Sequence, residues 1–310
     1  MKKQKWLWVA LFVMLASAPN ALLLKTVLGT THPLFINALR FGLAGLILLP
    51  YILTSIYGLR KAGKWLLQGT AALVVATVAY VYSLEFAPAS YVSLFALLSP
   101  IIMVLFAQRL LKERIATRAY AGITLAAGGA GLMCLLPFIS TTKEMQFYPV
   151  ATALCIVSVM AFPFSIIRFK QVHQKFRVPL PAIVGFSSMA VAGVSLVSWL
   201  ITTDGSVPSI GLTDGLIIGY AGGMVLGVWR ILMLRSYDFV STPVLGILTY
   251  LEAFVAILLA VMLLHEKLTW YMWAGGVLIV LGVFVVEYHK YSRKHSSPLV
   301  IPHKILQLMK

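Results

Sequence analysis

Apolar runs of about twenty residues recur along the whole chain, separated by short polar segments rich in Lys and Arg. Ten such runs cover 6–24, 33–56, 65–84, 89–110, 116–136, 148–168, 178–201, 213–235, 241–264 and 270–288. Each is long enough to cross a hydrocarbon core of ~30 Å at ~1.5 Å per residue. In lipid each must be a helix, because no water is present to satisfy open backbone groups. The pattern predicts an all-α integral membrane protein of ten transmembrane helices. The connections are too short to hold a second domain.

Composition strengthens this reading. Hydrophobic residues make up 60% of the 310 positions and charged residues only 11%, too little charge to cover a soluble domain. The net charge of +16 would point to nucleic acid in a soluble chain. Here the positive residues lie between apolar runs, with no basic stretch interleaved with aromatics outside them, so they orient helices and no nucleic-acid partner is expected. Cys134 and Cys155 both lie inside apolar runs, without ligand spacing to another Cys or His. They read as small core residues, and neither a metal nor a cofactor site is expected.

Orientation follows from the Lys and Arg positions. With the N-terminus inside, twenty fall in inner segments and Lys25, Lys143 and Lys267 in outer ones, while Arg40 and Arg230 lie within spans. Both termini are therefore expected in the cytoplasm, with the chain in the cytoplasmic membrane and a basic tail over 289–310. The N-terminus also resembles a secretory signal, with Lys2, Lys3 and Lys5 before an apolar run and Ala16-Ser17-Ala18 after it. Pro19 directly after that site favours an uncleaved first helix.

The chain repeats itself. Ser83–Gly131 aligns without a gap on the stretch from Ser236: Glu85 falls on Asp238, Phe86 on Phe239, and Leu110-Leu111 on Leu263-Leu264. Glu113 falls on Glu266, Arg114 on Lys267, Gly122 on Gly275 and Gly129 on Gly282. The polar matches separate this from chance likeness between apolar stretches. Five helices is an odd number, so the second half starts on the opposite side and the repeat is inverted. Secondary transporters use such a repeat, because two opposed halves can exchange conformations around one site. The halves are expected over 1–140 and 141–288.

Several short motifs stand in a fixed order: Pro19-Asn20, Pro33 with Arg40-Phe41, Ser99-Pro100, LLKERI followed by glycine, and LTYLEAF with LLHEKL. In this the chain resembles the drug/metabolite transporter superfamily, EamA-like branch, over both halves. The resemblance implies two inverted five-helix repeats and transport of small metabolites, often amino acids and often outward. It names no single substrate. Two positions depart from the pattern. Leu251-Glu252-Ala253 lacks a proline after the acid, and Phe186 stands near where an arginine matching that of the second helix would fall.

Glu252, in the middle of the ninth run, is the sharpest candidate. A carboxylate at that depth is costly and should face a cavity or a partner. It could bind a substrate ammonium or carry a coupling proton. A buried acid that only fixes packing is the structural alternative. Arg40 could meet a substrate carboxylate, or cap carbonyls and snorkel. Arg230 could guard the inner end or pair with Asp238, with snorkelling the simpler reading. Asn20 could satisfy the carbonyl freed by Pro19 or bind a ligand. Tyr80, Tyr82, Trp229 and Tyr250 offer rings suited to a cavity or to ordinary packing. Ser99 joins the binding candidates through its motif. Pro19, Pro88, Pro100 and Pro163 are hinge candidates. Gly219, Gly223 and Gly227 form a small-residue stripe for close helix approach.

There is no GxxxxGK[ST], HExxH, GxSxG or zinc-deaminase pattern. Transport energy is therefore expected from a gradient, with a proton as the candidate ion and membrane lipid as the surroundings. An enzyme built on Glu252 with His265 fails on distance, since 13 residues of helix span ~20 Å. A carrier of amphipathic or lipid-linked solutes and a non-transporting scaffold or sensor are the other readings. The residues carry no signature of oligomeric state.

Overall fold

The computed structural model describes residues 2–29, 31–111, 148–203, 207–236 and 270–295 without interruption, and 120–132, 239 and 252–263 in part. The predicted spans 116–136 and 241–264 lie largely outside the described residues, as do Tyr250, Asp238, Glu113, Glu266 and Cys134.

Every described element is helical. Among the described residues six helices are long and apolar enough to cross a membrane: Gln4–Leu28, Gly63–Phe86, Ala89–Leu110, Pro149–Phe176, Leu180–Thr202 and Leu212–Ser236. Pro33–Ile47 and Trp273–Gly282 are shorter apolar helices.

Proline divides the first of these spans into α1 (Lys2–Ser17) and α2 (Asn20–Leu28), with Pro19 in the break. α3 (Pro33–Ile47) begins on His32, whose ring accepts a hydrogen bond from the Leu34 amide. The expected span 33–56 is not one helix. It breaks at Leu48, and α4 (Leu49–Thr54) and α5 (Ile56–Lys61) follow. Pro50 explains the break, because it supplies no N–H to continue the ladder. α6 (Gly63–Phe86) is unbroken. Pro88 then opens α7 (Ala89–Ala96), and Pro100 sits in the first turn of α8 (Ser99–Leu111). Three of the four prolines singled out thus stand at helix breaks. Pro163 is instead buried inside the continuous α9 (Pro149–Phe176).

α10 (Leu180–Thr202) follows a tight turn in which Arg177 takes a left-handed conformation, φ 55°. The eighth span is composite: α11 (Leu212–Gly219), a π-helical stretch π1 (Tyr220–Trp229) and α12 (Arg230–Ser236). In π1 hydrogen bonds reach back five residues, as from the Arg230 amide to the Val225 carbonyl. The described chain closes with α13 (Trp270–His295).

The packing order is specific. α6 lies along α9, α3 along α10, and α1 and α2 against α11, π1 and α12. α3 also packs on π1. Here the structure corrects the small-residue stripe. A methyl group at Gly219 would meet nothing within 4 Å, and one at Gly223 would make ordinary contacts with Ile47 and Leu43. The close approach falls at Gly222, where a methyl carbon would stand 2.5 Å from the Arg40 carbonyl oxygen. The wide π turn changes which residues share a face, so a four-residue spacing no longer marks one side.

Two main apolar clusters form the core. One gathers Leu24, Leu84, Tyr91, Phe95 and Cys155; the other gathers Phe41, Leu73, Phe169 and Ile183. The cavity described next is lined by members of both.

Candidate functional site

Polar side chains of separate helices converge on a cavity of about 310 Å³, at the small end of the range for metabolite sites. α1 and α2 contribute Ser17 and Asn20, α3 Arg40 and Phe41, and α6 Thr77 and Tyr80. α7 and α8 supply Phe95 and Ser99, α9 supplies Ser158 and Phe162, and the eighth span supplies Leu226 and Arg230. Glu252 completes the wall as the one acid among its described lining residues. Most of the remaining lining is apolar. Few polar groups in an apolar wall fix a solute's orientation without making its release slow.

Glu252 Oε1 accepts a hydrogen bond of 2.7 Å from Ser17 Oγ. That is its side-chain partner among the described residues. Ser17 is the last residue of α1, just before the Pro19 break. Tyr220 fastens the same place by donating its hydroxyl proton to the Ala16 carbonyl. The proline break therefore puts a hydroxyl, not another helical turn, opposite the carboxylate.

Arg40 is 3% exposed. Its Nε donates to Asn37 Oδ1 at 2.9 Å, one turn back on α3. It neither snorkels nor caps a helix end. Asn20 Oδ1 is buried without a hydrogen-bond partner among the described residues. Both side chains present polar atoms to the cavity wall.

The structure brings together Glu252, Asn20, Arg40, Tyr80 and Ser99 of the predicted set. Trp229 is not among the lining residues. It is buried edge-on against Tyr220, with ring centres 5.4 Å apart, and faces Phe12 at 6.5 Å. It packs the eighth span onto α1, because the π register turns it away from the cavity. Tyr250 lies outside the described residues. The side chain of Pro100 does too, although its backbone is described.

Arg230 is the largest departure from the sequence reading. It does not snorkel; it lines the cavity, with its guanidinium 5.9 Å from the Phe169 ring. A π-helix turns by roughly 80° per residue against roughly 100° for an α-helix. Over the ten residues of π1 the difference accumulates to about 200°. The wider register thus shifts Arg230 away from the face that an uninterrupted α-helix would give it. Ser17, Thr77 and Ser158 were also missed. Small hydroxyl residues inside apolar runs carry no signal that separates lining from packing.

The sequence pattern of the EamA-like transporter family matches residues 4–135 and again 149–288. The chain belongs to the EamA-like transporter family. It is 21% identical over 270 residues to a biotin transporter of Escherichia coli (strain K12), covering 87% of this chain and 88% of that one. A biotin transporter of Escherichia coli O157:H7 matches with the same figures. A solved crystal structure of 20% identity aligns over 92% of this chain and 98% of its own, with a TM-score of 0.63. That likeness shows the fold alone. An EamA-like chain is a multi-pass membrane transporter of a small molecule in a lipid environment.

Proposed function

We propose that this EamA-like protein is a secondary active transporter, with ten helices arranged as two inverted five-helix repeats over 1–140 and 141–288. It moves a small organic metabolite, an amino acid or related compound, out of the cell across the cytoplasmic membrane by alternating access. Both termini are cytoplasmic, the tail over 289–310 included.

The observation that carries this reading is the cavity shared by both halves, with Glu252 of the second half held by Ser17 of the first. Helix packing supports the inverted relation. A twofold maps spans 1, 2 and 3 onto 6, 7 and 8. Contact between 3 and 6 then implies contact between 1 and 8, while the pair 2 and 7 maps onto itself. The observed pairs follow that order. Gly129 adds a second line. A methyl group there would lie 2.5 Å from the Gly275 carbonyl oxygen, and Gly275 is the repeat mate of Gly122.

Glu252 is the coupling or substrate-binding acid in this scheme. It reaches solvent from alternate sides as the halves exchange, and a proton is the ion it can carry. The test is counterflow in proteoliposomes, with labelled amino acids and, prompted by the curated relatives, biotin. Wild type should accumulate at least one solute, and Glu252→Gln should abolish this while still inserting. Normal counterflow by the variant overturns the role of Glu252. Failure of folded wild type with every solute overturns the substrate class.

A further inference from the structure

One charged group in the cavity wall has polar atoms without a hydrogen-bond partner among the described residues. The Nε and Nη2 atoms of Arg230 are buried and have no hydrogen-bond partner among the described residues. A buried guanidinium normally finds an anion or a set of carbonyls, because an unpaired buried charge is strongly disfavoured. Arg40 is different, since Asn37 already accepts from its Nε. Glu252 is different too, since Ser17 donates to it. Ten residues of π-helix end at Arg230, and this uncommon geometry carries the guanidinium into the cavity wall.

We propose that Arg230 is the anion receptor of the cavity and that the transported solute is an organic monoanion bearing a carboxylate, acidic amino acids included. The inference rests on the transport reading above and narrows its substrate class. Formal charge leads to the monoanion. Arg40 and Arg230 against an ionised Glu252 leave one net positive charge among the described lining residues. A carboxylate monoanion neutralises it, an amine doubles it, and a dianionic phosphate reverses it. In a low-dielectric wall the neutral sum is favoured. A guanidinium also matches a carboxylate with two parallel hydrogen bonds, which a neutral amide cannot accept in the same way.

The experiment measures binding to purified protein in detergent, using monocarboxylates of graded size from propionate to 3-phenylpropionate. Each is paired with its amide, which has the same shape and no charge. At least one acid should bind about tenfold or more tighter than its amide. In Arg230→Gln the ratio should collapse to near one, and in Arg230→Lys a reduced preference should survive. If Arg230→Gln does not fold, the Lys variant alone decides: an undiminished ratio there overturns the receptor role. Equal binding of every acid and amide by wild type, or no binding by any acid, also overturns the proposal. So does a preference lost in Arg40→Gln but kept in Arg230→Gln. Charge-selective binding without counterflow would overturn the transport reading and leave the receptor standing. Counterflow that ignores Arg230 would do the reverse.

Discussion

Ser17 Oγ stands 2.7 Å from Glu252 Oε1, joining residues 235 positions apart in the chain. One is the last residue of the first helix; the other lies in the second half. The bond can exist because Pro19 ends α1 two residues later and leaves the serine hydroxyl facing across the cavity. A link between the halves at the acid gives the carboxylate a fixed position in this conformation. Under the alternating-access proposal it is also a contact that the exchange of conformations breaks.

Ser17→Ala therefore removes the one side-chain donor that Glu252 has among the described residues. The expected cost is about 1 kcal/mol, the usual net worth of one hydrogen bond, since the acceptor is only partly buried. Glu252→Gln keeps an oxygen that can accept from Ser17, so it should cost less. Thermal unfolding of both single variants and the double variant in detergent checks this. The double should fall short of the sum of the singles, and strict additivity would show that the bond contributes nothing.

Gly222 and Gly219 make a matched pair. A methyl group at Gly222 would press on the Arg40 carbonyl oxygen at 2.5 Å, and backbone cannot swing aside. Gly222→Ala should destabilise by about 1–3 kcal/mol and disturb transport by pushing π1 away from α3. Gly219→Ala meets open space and should leave both stability and counterflow near wild type. Equal behaviour of the two variants would contradict the close approach.

How much of this could be read beforehand depended on the helix type. Glu252, Arg40 and Asn20 were legible because a polar group deep in an apolar run demands a reason, whichever way its helix turns. Pro19, Pro88 and Pro100 were legible at helix breaks because the missing N–H acts locally. Arg230, Trp229 and Gly222 were not. All three belong to the eighth span, and their facing depends on a hydrogen-bond register of five instead of four. Apolar residues dominate both registers there, so composition does not distinguish them. The sequence leaves Trp229 open between cavity and packing and favours snorkelling for Arg230, whereas Trp229 packs on Tyr220 and Phe12 and Arg230 lines the cavity.

Lys25 offers a test away from the cavity. Its ammonium donates to the carbonyls of Leu84, Glu85 (3.4 Å) and Ala87 (2.9 Å), where α6 ends. Those carbonyls carry the negative end of the helix dipole, and the cation ties α2 to α6 there. Lys25→Met keeps the apolar stem and loses the charge. The expected cost is about 1 kcal/mol, with Lys25→Arg near wild type. Thermal unfolding reads both, and an unchanged midpoint in the Met variant would remove the cap from the account.

The inverted repeat can be tested by a substitution on each side of its axis. Gly129 approaches the Gly275 carbonyl oxygen so closely that a methyl carbon would sit 2.5 Å from it. The repeat alignment pairs Gly129 with Gly282 and Gly275 with Gly122. If the halves are related by a twofold, the contact between 129 and 275 has a mate between 282 and 122, and both Gly122 and Gly282 are buried. Gly129→Ala and Gly282→Ala should then destabilise by similar amounts, about 1–3 kcal/mol each. Gly131→Ala, with nothing within 4 Å of its methyl position, is the control and should be silent. Thermal midpoints of the three variants decide the matter. A severe effect at Gly129 beside a silent Gly282 would mean that the halves, although alike in sequence, do not pack symmetrically where their last helices meet.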